Sequence, residues 1–202
     1  NLSKNIMVEV WIPVVTAVIG SITTFLTIWY RNRIERQKRN KECFLSSVVE
    51  EESELLEKLA EIRTSVGASR ASVYQFHNGG EYFTGKSMKK YSMTYEQVEK
   101  GIARIQHQNQ SIPVSGAIRL FAKLLENRTA FYKNLDRDFP ESLLKYNLQE
   151  VGIDSIYCWS ILDLNKNVIG VFTLDFVLEP TKISQKDLDN IQLYVIKMAG
   201  YL

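Results

Sequence analysis

The side chains able to do chemistry are few and scattered. Two histidines (His77 and His107), two cysteines (Cys43 and Cys158) and carboxylates spread along 202 residues make up the inventory. A nucleophilic triad needs a histidine within hydrogen-bond reach of a hydroxyl or thiol and of an orienting carboxylate. Neither histidine stands in a sequence context that supplies one. A metal centre needs ligands at characteristic spacing, and the sequence has no His-x-x-x-His, no paired cysteines and no calcium loop. Gly79-Gly80 is not followed by the Lys-Ser/Thr helix start of a phosphate cradle. The expectation is a protein that is not an enzyme, with no metal site and no particular cofactor implied. The two cysteines read as reduced, buried thiols rather than as a disulfide framework. A net charge of +2 provides no basic excess for a nucleic acid.

What remains is binding chemistry. Phe76, His77, Asn78, Tyr82, Phe83, Thr84, Tyr91 and Met93 combine aromatic faces with hydrogen-bonding tips in one short stretch. Ligand pockets have that mixture, mostly apolar with a few placed polar groups. Gly79 and Gly80 permit close backbone approach. The same residues also fit a second description, in which Asn78-Gly79-Gly80 is a turn and the aromatics are core. Trp159, Thr173 and Asp175, on later strands, are expected to face either the same pocket or the core. Of these Asp175 matters most, because a buried carboxylate needs a partner.

These residues must be positioned by the elements around them, and the chain opens on a different kind of segment. From Val10 to Tyr30 no residue is charged, with Trp11 at one end and Trp29-Tyr30 at the other. That length and those aromatic flanks predict one transmembrane helix over 10–30, after a short tail over 1–9. Arg31, Arg33, Arg36, Lys38, Arg39 and Lys41 follow directly, against Lys4 alone before the run. By the positive-inside rule the N-terminus lies outside and the C-terminal domain is cytoplasmic. The same cluster could contact anionic lipid or serve as a topology signal alone. Thr16, Gly20 and Thr24 form a small-residue stripe that suits self-association.

Residues 31–66 then form a basic juxtamembrane and helical connector, with no glycine or proline between Ser21 and Val66. Leu45, Val48, Leu55, Leu59, Ile62 and Val66 recur at 3–4 spacing, with Glu52 interrupting. This seam fits a dimeric coiled coil and fits equally a helix packed on its own domain. Val49 and Leu56 widen the stripe toward the second. Gly67 is the expected helix stop.

Beyond it the periodicity predicts strands over 70–77 and 89–94, with a turn at Asn78-Gly79-Gly80. A helix is predicted over 115–127 with Ser115 as N-cap, a strand over 129–135, and a helix from Pro140 through Gln149 closed by Gly152. The clearest hairpin runs 155–164 and 168–177 around Asn165-Lys166-Asn167. Ser184 caps a last helix with Asp187 in its first turn. The expected class is α+β, an antiparallel sheet with helices on one face, preceded by the transmembrane helix and connector.

With these elements in order, the chain resembles the GAF domain family over about 44–202, with the domain proper at 67–202 and its first helix at about 44–66. The string GIDSIYCWSILDLNKNVIGVFTLDF followed by SQKDLDNIQLYVIKMAGYL resembles the family's closing strands and helix. Gly152, Ser155, Gly170 and Asp187 stand at its marked positions. RASVYQFHNGG after a helix is similar to its first strand. FHNGG and YSMTYE are similar to strings in membrane-anchored proteins of bacteria and tailed phages. The resemblance implies a GAF/PAS-like sensor or interaction module, usually a homo-oligomer through helices. It identifies no ligand: the Asn-Lys of the phosphodiesterase-type signature falls here in a hairpin turn, and no counterpart of a bilin-carrying cysteine is evident. The expected function is a membrane-tethered regulatory module binding a small ligand or a protein partner. The alternative is an oligomeric assembly protein that uses the domain as a scaffold.

Overall fold

The computed structural model describes residues 2–177 and 183–202, without the side chains of 2–19, 36–44 and 47. It divides into two compact units, Asn1–Glu50 and Glu51–Leu202. The elements run α1 (Leu2–Ser65), β1 (Arg70–Glu81), β2 (Ser87–Val98), β3 (Ile112–Pro113), a 3-10 turn (Val114–Ala117), α2 (Ile118–Asn127), β4 (Thr129–Tyr132), α3 (Leu135–Asp138), α4 (Leu143–Glu150), β5 (Ile153–Leu162), β6 (Val168–Val177) and α5 (Gln185–Met198).

The first unit is helical. The side chains of Trp11, Arg36, Lys38, Arg39 and Cys43, and of the first half of the expected span at 10–30, lie outside the described residues. Among the described residues no helix is long and apolar enough to cross a membrane. Of the expected interfacial set, Trp29, Tyr30, Arg31 and Arg33 are exposed, and the Arg33 guanidinium sits 5.4 Å from the centre of the Trp29 ring.

In the second unit six antiparallel strands lie in the order β3-β2-β1-β6-β5-β4. Helices cover both faces of this sheet, a correction to the one-sided expectation. One face carries Ala71, Val73, Tyr157, Trp159, Ile161, Phe172 and Leu174 against Leu55, Leu59 and Ile62 of α1 and Ile191, Val195 and Met198 of α5. The opposite face carries Tyr91, Ala130, Tyr132, Ile156, Cys158 and Val171 against Leu120, Phe121 and Leu124 of α2, Leu135 of α3 and Leu148 of α4. Covering both sides is what IDSIYCWSIL demands: successive side chains point to opposite faces, and almost every residue of β5 is buried. Leu55, Leu59 and Ile62 are each 1% exposed or less. The seam of the connector thus packs on its own sheet at Leu55, Leu59 and Ile62. Leu45 and Val49 are exposed.

The helix ends follow local chemistry. The α1 terminus is a Schellman turn, in which Ala68 N–H donates to Arg63 O, Gly67 N–H donates to Thr64 O and Gly67 adopts φ +65°. Ser184 and Asp187 form a reciprocal capping box on α5. Two expectations are corrected here. Ser115 lies within the 3-10 turn, and α2 starts after Ala117 without any side-chain cap. The helix expected from Pro140 begins at Leu143, where Ser142 accepts from Lys145 N–H.

The first hairpin differs most from expectation. Asn78-Gly79-Gly80 is not its turn; β1 runs on to Glu81, and the chain reverses at 82–86, where Tyr82 N–H donates to Lys86 O. The register slips between Asn78 and Glu81, with Gly80 at φ +105°. The glycines therefore serve a bulge inside the hairpin. After β2 the segment 99–111 folds back along that strand: Met93 N–H donates to Asn109 O, and Gln106 Nε2 and Gln110 Nε2 donate to Thr94 O and Met93 O.

Candidate ligand groove and buried ion cluster

Two places in the sheet domain gather polar chemistry. The first is a groove of about 420 Å³ between α2 and the sheet. Phe76, His77 and Asn78 of β1 and Lys89 and Lys90 of β2 line one side. Val114, Phe121, Leu124 and Leu125 line another, and Val168 and Val171 of β6 complete it. Its volume falls within the range of small-molecule pockets. Phe76 packs edge-on against Phe121 at 5.1 Å, Tyr91 does the same from beneath, and Tyr74 meets Tyr91 at 5.8 Å. Burial pushes the Tyr91 phenol up to about 12, so it stays protonated throughout the ordinary pH range.

The polar residues come from the hairpin. Lys89 Nζ donates to Asn78 Oδ1 at 2.8 Å, and Ser87 Oγ donates to the same oxygen at 3.2 Å. His77 Nε2 lies 2.8 Å from Ser92 Oγ, which also accepts from Ser111 N–H. A Cβ on Gly79 would fall within 3 Å of the Lys90 side-chain carbons, so the absent side chain leaves room for the Lys90 stem. The bulge thus lets the lysine cross its own partner strand.

The second place is wholly buried. Arg70, 1% exposed, donates from Nε to Glu96 Oε1 at 2.9 Å, from Nη2 to Ala103 O at 2.8 Å, and from Nη1 to Asp175 Oδ2 at 3.4 Å. Glu96 also accepts from Ile105 N–H and Gln106 N–H, so the two charged side chains pin the segment 99–111. Strand register explains the gathering, because Arg70 pairs with Asp175 and Ser72 pairs with both Glu96 and Thr173. Two carboxylates share one guanidinium, and Glu96 holds the better bonds. Asp175 keeps the long contact, and its Oδ1 has no hydrogen-bond partner, nor do Ser72 Oγ and Thr173 Oγ1. Burial raises the Asp175 carboxyl to about 6, with Arg70 opposing the rise.

Of the residues singled out in the sequence, Phe76, His77 and Asn78 line the groove, and Tyr91 packs beneath it. Met93 is fully buried in β2, opposite Tyr74. Tyr82 and Thr84 are exposed at the hairpin turn. Trp159 lies across the sheet in the α1–α5 layer, because Cys158 and not its neighbour faces α2. Asp175 belongs to the ion cluster. Sequence reasoning misses Lys89, Lys90 and Phe121 for the groove and Arg70 and Glu96 for the cluster. Among the described residues no group of His, Cys, Asp or Glu is arranged to hold a metal.

No protein-family profile matches the chain, and no curated protein sequence matches it. Solved structures do. A GAF domain from Synechocystis sp., in its photoproduct state, aligns with a TM-score of 0.56 at 8% identity, over 73% of this chain and 90% of that one. The blue-light absorbing form of the PixJ GAF domain from Thermosynechococcus elongatus gives 0.57 at 14% identity, over 75% and 89%. A phycoerythrobilin-bound GAF domain from a cyanobacterial phytochrome gives 0.58 at 15%, over 81% and 90%. At these identities the likeness establishes the fold, an antiparallel GAF-like sheet flanked by helices.

Proposed function

We propose that this GAF-fold domain is a sensory module that binds a small ligand in the groove under α2 and performs no covalent chemistry. The observation that carries the reading is the groove itself: an apolar floor, a polar rim from one hairpin, and a site on the face of the sheet that α2 covers. The similar solved domains include bilin-bound photoreceptors, which supports a ligand-holding role for the fold without specifying this chain's ligand.

The proposal includes a membrane tether. Its support is the uncharged run at 10–30 and the six basic residues over 31–41. Thr23, Thr24 and Thr27 each return their hydroxyl to a helix carbonyl at 2.8–2.9 Å, which satisfies these groups without water. In this reading the domain is cytoplasmic and the chain self-associates through helices. A ligand would act by its differential affinity for two arrangements of those helices. Isothermal titration of the chain against nucleotide and metabolite panels tests the sensor; failure of every class to bind would refute it. Alkaline extraction of membranes tests the tether, which predicts the chain in the pellet and its release when 1–30 are deleted.

A second reading, an assembly scaffold, is favoured by one observation. Leu193 and Ile196 of α5 are 60% and 62% exposed, on a helix whose other side is core. Light scattering separates the two readings: the scaffold requires a stable oligomer that Leu193→Glu with Ile196→Glu dissolves.

A further inference from the structure

The groove's own side chains narrow the class of ligand, an inference that rests on the ligand-binding reading above. Its lining divides sharply by chemistry. Phe121, Leu124 and Leu125 of α2 and Val171 of β6 present hydrocarbon, whereas the hairpin presents Lys89 and Lys90. Among the described residues no carboxylate lines the groove. Among the described residues neither lysine takes part in an ion pair. Asn78 uses its oxygen to accept from Lys89 and Ser87, and this leaves its amide N–H groups as the free face of that side chain. Donors and positive charge therefore exceed acceptors on the rim. A cation would meet two ammonium groups, and a neutral donor would find few acceptors. A carboxylate or similar anion meets charge-assisted donors, and its apolar body covers the floor.

We infer that the groove takes an amphipathic organic anion, an aliphatic or aromatic body of modest size carrying one carboxylate-like group at the Lys89–Lys90 end. Gly79 contributes by leaving open the path of the Lys90 stem. The stem lies beside Gly79, and long lysine side chains commonly rest their methylenes on the protein while the ammonium reaches outward.

The test uses three water-soluble probes of one shape: 4-phenylbutyrate, 4-phenylbutanol and 4-phenylbutylammonium. Each is titrated into the full chain held in nanodiscs, with empty nanodiscs as the blank. The acid is expected to bind at least tenfold tighter than the alcohol, and the ammonium most weakly. Lys89→Gln with Lys90→Gln, the first exposed and the second half-buried, should bring the acid to the alcohol's affinity and leave the alcohol unchanged. Equal binding of acid and alcohol, or an acid preference that survives the double substitution, overturns the ligand class while the groove remains a binding site. Absence of binding by all three probes, with groove methyl resonances of Leu124 and Val171 unmoved, overturns both the class and the site.

Discussion

Replacing Asp175 by asparagine should make the protein more stable at neutral pH, although it deletes one member of a buried ion cluster. The ordinary carboxyl value is 3.8, and the folded one is about 6 because burial outweighs Arg70. That separation corresponds to about 3 kcal/mol. The folded carboxyl holds its proton to higher pH than the unfolded chain does. Its favourable contribution is therefore fully present below about pH 4 and is lost as pH rises through about 6. At pH 7.5 the wild-type carboxylate sits ionised, with one contact to Arg70 at 3.4 Å and one oxygen unpartnered. An asparagine side chain there would carry no charge and would offer an N–H donor to the Thr173 oxygen beside it. Urea unfolding followed by near-ultraviolet circular dichroism should show Asp175→Asn more stable by up to about 3 kcal/mol at pH 7.5, with the difference vanishing near pH 4. A variant clearly less stable than wild type at pH 7.5, together with a flat wild-type profile between pH 4 and 7, would refute this reasoning. Glu96→Gln is the contrasting perturbation. It removes the closer of the two carboxylates that pair with Arg70, so the loss should be about 3–5 kcal/mol.

Other predictions follow from the packing. A Cβ on Gly170 would stand 2.6 Å from the backbone oxygen of Tyr74, so Gly170→Ala should cost about 1–3 kcal/mol or more through overpacking. The nearest atoms to a Cβ at Gly79 belong to the flexible Lys90 side chain, so Gly79→Ala should cost less; thermal melts of the pair compare them directly. Leu59→Ala, at a fully buried position on α1, should lose about 2–5 kcal/mol, whereas exposed Leu193→Ala should stay within about 0.5 kcal/mol; urea midpoints measure both. Ser184→Ala removes the capping box and should lower stability by about 1 kcal/mol in the same assay.

The parts of this fold legible in the sequence are those specified by local chemistry. The β5–β6 hairpin is one: Asp163 accepts from Asn165 N–H and Asn167 N–H at its turn, and apolar runs flank it. Gly67 and Ser184 are others, since a helix stop and a cap act within a few residues. The turn of the first hairpin is misplaced because Asn-Gly-Gly satisfies a tight turn and a bulge equally well, and only the register with β2 distinguishes them. The second helical layer escapes notice although a strand buried on both faces reads as a nearly continuous apolar run, as in IDSIYCWSIL. The ion cluster has no local signal. Arg70, Glu96 and Asp175 are brought together across 105 residues of sequence by strand order alone. For the groove, the aromatic half is visible in Phe76 and Tyr91. The lysines look like ordinary solvated charge until the bulge carries them to the rim.

The segment 99–111, held by Glu96 and Arg70, also covers part of one border of this sheet. A strand with one unpaired side is a template for aggregation or for strand addition by a partner. Here Asn109 O, Gln106 Nε2 and Gln110 Nε2 already occupy the outward backbone groups of Met93 and Thr94. Farther along, β3 covers that side with two residues, one of them Pro113, which has no N–H to offer. The far side of the sheet ends in a strand of only four residues. Strand addition is thereby hindered along the part of β2 that these groups and β3 cover. Loosening the Arg70–Glu96 grip would uncover a sticky border, so variants of that pair should betray themselves first as precipitation and only then as lost stability.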